Sequence, residues 1–198
     1  MTDQVFAYIA HKNGVADDTA LELPVAAGKI NPDAAVTAIV AGSGDSLTAV
    51  CNEVAKTYPT VWKLDNETFA YPNAEVIRQA LVTLLPESAM VLIPHDTFGM
   101  DLAPGLSVKI NAAFISDVVG IEGISDSGLT IVRQEYSGQV STHVAADITS
   151  GVVINIRPVI FQPDESPSAA GEVVDKSSDI GDLDTTRKFL EIVEAEVG

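Results

Sequence analysis

Cysteine and basic residues are scarce in this sequence. Cys51 is the one cysteine among 198 residues, so an internal disulfide is excluded and a reducing compartment suits the chain. Lys and Arg number 11 against 28 Asp and Glu, which gives a formal charge of −17. Because that charge repels phosphate backbones and anionic lipids, the sequence predicts that the protein binds neither nucleic acid nor a membrane.

Long apolar runs and a secretory leader are also missing. No apolar stretch approaches the ~18 residues that a membrane-spanning helix needs. The opening MTDQVFAYIA lacks the basic region of a signal peptide, so we expect a cytoplasmic protein. Hydrophobic residues still make up 46% of the chain, and the mean hydropathy is +0.24. That composition supplies a core for one domain with a tail.

The sequence contains no recognisable catalytic or metal-binding motif. A G-x-S-x-G nucleophile motif does not occur, and the turn Gly42–Ser46 lacks the lysine of a Walker A loop. His11, His95 and His143 have no metal-type spacing to cysteines or paired carboxylates. We therefore expect neither a metal site nor an enzyme.

Apolar runs alternate with helix-like segments through the first 110 residues. The strand-like runs are Val5–Ala10, Ala35–Ala41, Thr60–Leu64 and Ala89–Ile93. The helix-like segments are Ala20–Ile30, Leu47–Lys56, a segment capped by Asn73, and Gly99–Ile110. Pro24 is expected in or near the first turn of the first helix, and Asp101 in the first turn of the last. This alternation predicts βαβ units and a mostly parallel α/β sheet covered on both faces.

The pattern changes after residue 111. Successive strand-like runs separated by Gly, Ser and Asp predict additional late antiparallel strands. Residues 162–183 are rich in Pro, Ser, Gly and acidic residues, which is typical of a linker. We accordingly predict a domain at 1–161, an acidic linker at 162–183, and a strand-like segment at 184–198.

The junction HDTFGMDL, residues 95–102, is the best pocket candidate. It follows the fourth strand as His11 follows the first, and open α/β sheets bind ligands beyond the carboxyl ends of their strands. Main-chain N–H groups at the start of the helix are suited to an anion, but capping of that helix by Asp96 or Thr97 is the simpler interpretation. The candidate nucleotide-like pocket comprises His11, Asp96, Thr97, Gly99 and Asp101.

Two arginines lie in strand-like runs of a chain that is poor in cations. Buried Arg133 and Arg157 would each need a carboxylate, and Asp117 and Glu122 are candidate partners. We favour ion pairs that tie the late strands to the sheet over substrate binding.

Five segments, in order, resemble the N-terminal domain of electron transfer flavoprotein alpha subunits. They are TALELPVAAGKI, VTAIVAGSG, DTFGMDLAPGLSVKINAAFISDVVGIE, VRQEYSGQV and VVINIRPVIF. Arg133, Tyr136 and Gly138 match an R-P-x-Y-x-G-N pattern of the family, and Arg157 matches its R-P-x-x-F ending. The sequence departs from the family at Gln134, Gln139 and Gly105, which stand where proline, asparagine and arginine are usual.

The resemblance implies a Rossmann-like fold of the adenine nucleotide alpha hydrolase type and a role in electron transfer. Such a domain is a non-flavin scaffold that pairs with a beta subunit and positions an FAD domain. Here TTRKFLEIVEAEVG resembles the strand before that domain, which is absent up to Gly198. FAD is thus expected for the complete complex and not for this chain alone.

The resemblance also implies partners. Dehydrogenases or quinone reductases would interact through the complete complex, and a homo-oligomer of the isolated chain remains open. The alternative is a small adenine-nucleotide-binding module that holds AMP near His11, Asp96, Thr97 and Gly99.

Overall fold

The secondary structure follows the predicted alternation. The computed structural model describes residues 4–125, 128–163, 170–191 and 193. The strands are Val5–Tyr8 (β1), His11–Lys12 (β2), Val15–Ala16 (β3), Val36–Gly42 (β4), Thr60–Asp65 (β5), Met90–Pro94 (β6), Ala113–Ser125 (β7), Gly128–Glu135 (β8), Val140–Ala146 (β9), Val152–Ile156 (β10) and Glu172–Asp175 (β11). The helices are Thr19–Ile30 (α1), Asp45–Val54 (α2), Ala74–Leu84 (α3) and Thr97–Lys109 (α4).

Nine strands form one central sheet in the order β11-β5-β4-β1-β6-β10-β7-β8-β9. Every neighbouring pair from β11 to β7 is parallel, whereas β7–β8 and β8–β9 are antiparallel. Central strands β1, β6 and β10 are buried along their whole length, as expected for parallel strands covered on both faces. The predicted fold class is confirmed.

Helices cover both faces of the sheet. Leu23 of α1 and Leu47 of α2 belong to the apolar core on one face, while Ile77 of α3 and Leu102 of α4 belong to the core on the other. The Asn73 side chain accepts a hydrogen bond from the Glu75 N–H at 3.0 Å, which confirms the predicted cap of α3. No helix in the described ranges combines the length and apolarity needed to cross a membrane.

Pro24 lies deeper in α1 than the sequence analysis predicted. The helix begins at Thr19, so Pro24 falls in its second turn, where proline cannot donate a hydrogen bond to the carbonyl four residues earlier. That carbonyl belongs to Ala20, and it accepts a hydrogen bond from the Tyr58 hydroxyl at 2.7 Å. A tertiary contact thus satisfies the acceptor that the proline leaves free.

The predicted linker contains a strand that its composition did not indicate. Glu172–Asp175 form β11, an edge strand parallel to β5, and Ile180 is buried against the α3 and α4 face. In the last segment, residues 184–191 and 193 form neither strand nor helix, so the strand-like pattern predicted there is wrong for the part that the structure describes. Residues 164–169, 192 and 194–198 lie outside the described residues.

The antiparallel strands extend from one end of the parallel sheet. The inner part of β7 pairs with β10 and its outer part with β8, and Val118 pairs with both Ile156 and Arg133. The register shifts near this point, and Asp117 adopts a left-handed φ of 60°, which is typical of a bulge that redirects a strand. We call Val118–Ala146, which includes the outer part of β7 with β8 and β9, the arm.

Candidate functional site

The predicted pocket residues lie at the carboxyl edge of the sheet, next to β1 and β6. The chain crosses from β1 to β4 on one side and β6 lies on the other, which makes this the switch point where doubly wound sheets bind ligands. His11 follows β1, but its Nε2 is 2.8 Å from the Ala41 carbonyl oxygen. That ring nitrogen is therefore engaged by β4.

Asp96 caps α4, as the simpler interpretation of the sequence predicted. Its carboxylate accepts a hydrogen bond from the Gly99 N–H at 2.6 Å, and the helix begins at Thr97. The start is two residues earlier than the predicted Gly99, because the cap places Thr97 as the first helical residue. Asp101 consequently falls outside the first turn, which corrects the predicted dipole interaction.

A buried asparagine holds the loop that leads into α4. Asn155 of β10 is fully buried, and its Nδ2 lies 3.4–3.5 Å from the carbonyl oxygens of Ile93, Pro94 and Gly99. A Cβ added at Gly99 would lie 1.9 Å from the Pro94 oxygen. Asn155 is not among the predicted site residues, and its one signal in the sequence is a polar residue inside the apolar run VVINI.

Three main-chain donors at this edge, those of Thr19, Gly44 and Gly99, are occupied by the protein's own carboxylates. The Gly44 N–H before α2 donates to Asp65 at 3.0 Å, and the Thr19 N–H of α1 donates to Asp17 at 2.9 Å. A phosphate would displace these carboxylates and be repelled by their charge. The donors of Thr19, Gly44 and Gly99 therefore do not fit the phosphates of AMP or FAD.

An aromatic pair lies at the carboxyl end of β1. Tyr8 and Phe98 of α4 stack with ring centroids 5.7 Å apart. Burial of Tyr8, together with the charge of Asp96, raises the pKa of the phenol, so the ring is neutral. Three cavities of about 430 to 510 Å³ lie elsewhere on the described surface, and none is lined by the predicted pocket residues.

The structure brings together only part of the predicted pocket. Asp96, Thr97 and Gly99 meet at the start of α4, whereas Asp101 is turned toward Arg187, with 3.1 Å between Oδ2 and Nη1. The backbone carbonyl of Asp101 also accepts a hydrogen bond from Arg78 at 2.9 Å. Arg78 lies against Gly105, where an added Cβ would be 2.5 Å from the guanidinium. The departure from the family's arginine at Gly105 thus leaves room for Arg78.

Arg157 organises the base of the arm. Its Nε and Nη2 donate to the two carboxylate oxygens of Asp117 at 2.7 and 2.6 Å, and its Nη1 donates to Gln134 at 2.7 Å. The hydrogen bonds from Arg157 lower the pKa of Asp117 and those to Asp117 raise the pKa of Arg157. The predicted Arg157–Asp117 ion pair is present, and Gln134, a departure from the family pattern, completes it. We call these three residues the Arg157 cluster.

The other charged residues of the arm behave differently from the prediction. Glu122 pairs with His143 at 2.8 Å and not with an arginine. Arg133 forms no ion pair with any described residue, and its Nε is buried without a hydrogen-bond partner. Tyr136 and Gly138 lie in the turn between β8 and β9, and the Tyr136 side chain is exposed.

Glu22 of α1 fastens the loop that follows Arg157. The buried carboxylate accepts hydrogen bonds from the Val159 N–H at 2.9 Å and the Phe161 N–H at 3.2 Å. Val159 has a left-handed φ of 68°, a strained conformation for a β-branched residue that its surroundings must enforce. The sequence analysis missed Glu22. A carboxylate on the buried side of an otherwise apolar helix is the signal that marks it.

Four of the five segments that carry the family resemblance meet in these contacts. Glu22 comes from the first helix, Asp117 from the segment after α4, Gln134 from β8, and Arg157 from the end of β10. Their roles are to hold the arm and the following loop against the sheet. Among the described residues, no group of three or more His, Cys, Asp or Glu is placed to hold a metal ion.

Comparison with known proteins assigns this architecture to a family. Residues 5–180 match the family described as "Electron transfer flavoprotein domain". The chain is 28% identical over 105 residues to the electron transfer flavoprotein subunit alpha of Megasphaera elsdenii, an alignment that covers 52% of this chain and 31% of the relative.

Two further relatives cover more of the chain. The mitochondrial alpha subunit of Arabidopsis thaliana is 25% identical over 76% of this chain and 42% of its own length. The alpha subunit of Methylophilus methylotrophus is 26% identical over 98% of this chain and 60% of its own length. The chain thus spans less than two thirds of each of these relatives. It belongs to the electron transfer flavoprotein family and corresponds to the N-terminal domain of the alpha subunits.

Proposed function

We propose that this chain is the non-flavin scaffold domain of an electron transfer flavoprotein, which pairs with a beta subunit and positions a flavin domain. FAD would supply the redox chemistry of the complete complex, and this chain would perform no catalysis itself. The observation that carries the proposal is the occupation of the main-chain donors at the carboxyl edge by Asp17, Asp65 and Asp96. Those carboxylates engage main-chain donors at helix starts, which are the groups that bind phosphates in other proteins.

A nucleotide titration tests this part of the proposal. Purified chain is heated with and without AMP, ATP or FAD, and its absorbance is recorded for bound flavin. We expect a colourless protein whose melting temperature does not change. Saturation at 100 times Kd would add about 2.7 kcal/mol of stability. A clear stabilisation of the unaltered chain by AMP would favour the adenine-nucleotide module instead.

The arm supports the pairing with a beta subunit. β9 is the last strand of the sheet, and Val140–Ala146 contain no Asp, Glu, Lys or Arg. An uncharged edge strand is a ready surface for another chain unless it is protected. In a chain of charge −17, a strand without acidic side chains reduces the like-charge repulsion that an approaching acidic protein meets.

Co-purification with a beta subunit tests the arm. A tagged beta subunit from the same source, immobilised through its tag, should retain the chain. Ala145→Lys places a charge on the exposed side of β9 and should reduce complex formation at least roughly tenfold. Val82→Lys, on the partly exposed side of α3, serves as the matched control. Equal retention of both variants would exclude the arm as the contact, and no complex with the unaltered chain would exclude the pairing itself.

Residues 184–191, which we call the strap, support the positioning of a following domain. The strap runs along α3: Gln79 binds the backbone of Asp184, Glu75 accepts hydrogen bonds from Thr185 and Thr186, and Arg187 reaches Asp101. These contacts are exposed, and exposed polar contacts contribute little each. They would therefore set the direction in which the strap leaves the domain, while allowing the strap to detach from α3.

Hydrogen exchange tests the strap. Glu75→Gln removes the charged acceptor of the Thr186 N–H, so that amide should exchange several-fold faster than in the unaltered chain. Glu87→Gln, which lies beyond the end of α3, is the control and should leave the rate unchanged. Equal rates in all three proteins would show that the strap does not depend on this carboxylate.

A further inference from the structure

A groove of about 470 Å³ lies on the face of the protein opposite the strap. It runs between α1, α2 and the hairpin formed by β2 and β3. Buried Val54 and the Tyr58 ring contribute to its lining, and the Tyr58 hydroxyl is already bonded to Ala20. The surface that the tyrosine offers to a ligand is therefore apolar.

Two apolar side chains stand exposed beside this groove. Val15 of β3 is 69% exposed and Leu21 of α1 is 43% exposed, and both belong to the groove lining. A small molecule within the groove would leave the outward sides of these residues in water. Covering them requires a macromolecular surface that lies across the groove, so the geometry favours a protein partner.

The charged residues that line the groove are all acidic. Asp17, Asp18 and Glu53 line it, and no Lys, Arg or His does. Asp17 is engaged in hydrogen bonds with Thr19 and the exposed Glu53 pairs with Lys56, while Asp18 makes no capping hydrogen bond. Anionic partners are repelled here. A partner with Lys or Arg beside aliphatic side chains is complementary.

We propose that this groove docks an amphipathic basic helix of a partner protein. Aliphatic residues on one face of the helix would pack on Val15, Leu21 and Tyr58, and flanking Lys or Arg would pair with Asp18 and Glu53. Helix-in-groove recognition uses this combination of apolar anchors and peripheral charge. The groove involves neither the arm nor the strap, so this inference is independent of the pairing with a beta subunit.

A peptide titration tests the groove. The probe is a fluorescent synthetic peptide of about 14 residues, four helical turns, with leucines on one helical face and lysines on the other. Its control has the same composition in an order that destroys the apolar face. Binding is measured by anisotropy at about 0.15 M ionic strength, where long-range attraction is screened beyond ~8 Å.

Matched variants separate the groove from the general negative charge. Asp18→Asn with Glu53→Gln, and Val15→Ser with Leu21→Ser, should each weaken binding roughly tenfold or more. The controls are Glu87→Gln with Asp182→Asn, which removes the same charge elsewhere, and Val82→Ser with Val108→Ser, which removes exposed apolar residues from α3 and α4. The controls should change Kd less than about twofold, since distant sites act independently.

Three results would overturn the inference. Equal weakening by the two charge-removing pairs would show that the peptide senses only net charge. Equal binding of the rearranged peptide would show that no apolar face is recognised. Failure of the amphipathic peptide to bind the unaltered chain at millimolar concentration would show that the groove does not dock such a helix.

Discussion

Replacing Gly99 by alanine should destabilise the protein, although alanine is the better helix former. Gly99 lies in the first turn of α4, and an added Cβ would lie 1.9 Å from the Pro94 carbonyl oxygen. That distance is about 1.6 Å less than the ~3.5 Å of favourable contact between heavy atoms. Because the obstruction is backbone, the loop from Pro94 or the start of the helix must move.

The movement breaks contacts whose free energies can be approximated. The Asp96 cap on the Gly99 N–H contributes about 1 kcal/mol, and forcing an extra carbon into a packed site costs about 1–3 kcal/mol. The higher helix propensity of alanine stabilises the fold by about 1 kcal/mol relative to glycine. We therefore expect Gly99→Ala to lower the free energy of unfolding by about 2 kcal/mol.

Gly28 is the matched control because it lies in α1 with nothing within 4 Å of its Cβ position. Gly28→Ala should raise the free energy of unfolding by about 0.5–1 kcal/mol. Both variants are unfolded in urea and followed by the fluorescence of Trp62, which is the one tryptophan of the chain and packs 5.0 Å from the Phe6 ring. The urea midpoint gives the change in the free energy of unfolding if the slope of that free energy against urea concentration is the same in all three proteins.

The opposite signs of the two changes are the test. If Gly99→Ala were as stable as the unaltered chain, the loop from Pro94 to Gly99 would not be held as tightly as these contacts indicate. A destabilised Gly28→Ala would refute the use of helix propensity for this chain.

Three further predictions concern buried or hydrogen-bonded side chains. Because Arg157 lowers the pKa of Asp117, this carboxylate stabilises the fold above its unfolded pKa of ~3.9 and loses that effect as pH falls through the lower folded value. The urea midpoint of Asp117→Asn should therefore fall less steeply with pH below about 4 than the midpoint of the unaltered chain. Parallel midpoint curves for the two proteins would contradict this. Burial raises the pKa of Cys51 to about 11, so a thiol reagent at neutral pH should label the protein only after denaturation, and rapid labelling of native protein would contradict this. Glu22→Gln places an amide where the N–H groups of Val159 and Phe161 both need an acceptor, so it should lower the free energy of unfolding, measured in urea, by about 1–3 kcal/mol. A change below about 0.5 kcal/mol would show that the loop does not depend on the carboxylate.

The elements with local signals were predicted well. Strand β6 reads as an uninterrupted apolar run, and the apolar spacing of α3 is confirmed by its buried residues. The caps at Asn73 and Asp96 were predicted because a cap lies within three residues of the N–H that it accepts. The resemblance to alpha subunits, which depends on segments in order, agrees with the family match.

Features that depend on distant residues were predicted poorly or not at all. β11 pairs with β5, which lies more than a hundred residues earlier in the chain. The four residues of β11 are too few for the alternation of apolar and polar residues that identifies a strand. Glu22 bonds to the loop after β10, and Asn155 to the loop before α4. The engagement of the Gly44 N–H depends on a distant residue in the same way, since Asp65 takes it only when β5 lies beside β4.

The sequence alone determined the α/β class, the mostly parallel sheet covered on both faces, and the caps of α3 and α4, because these follow from periodicity and from contacts a few residues apart. The tertiary structure decided which carboxylate meets which donor. Arg157 pairs with Asp117, whereas Arg133 forms no ion pair with any described residue and its Nε has no hydrogen-bond partner there. Three carboxylates engage main-chain donors at the edge where a nucleotide was an alternative. Such choices depend on the position of strands and side chains far apart in the chain, where composition and spacing carry no information about distance.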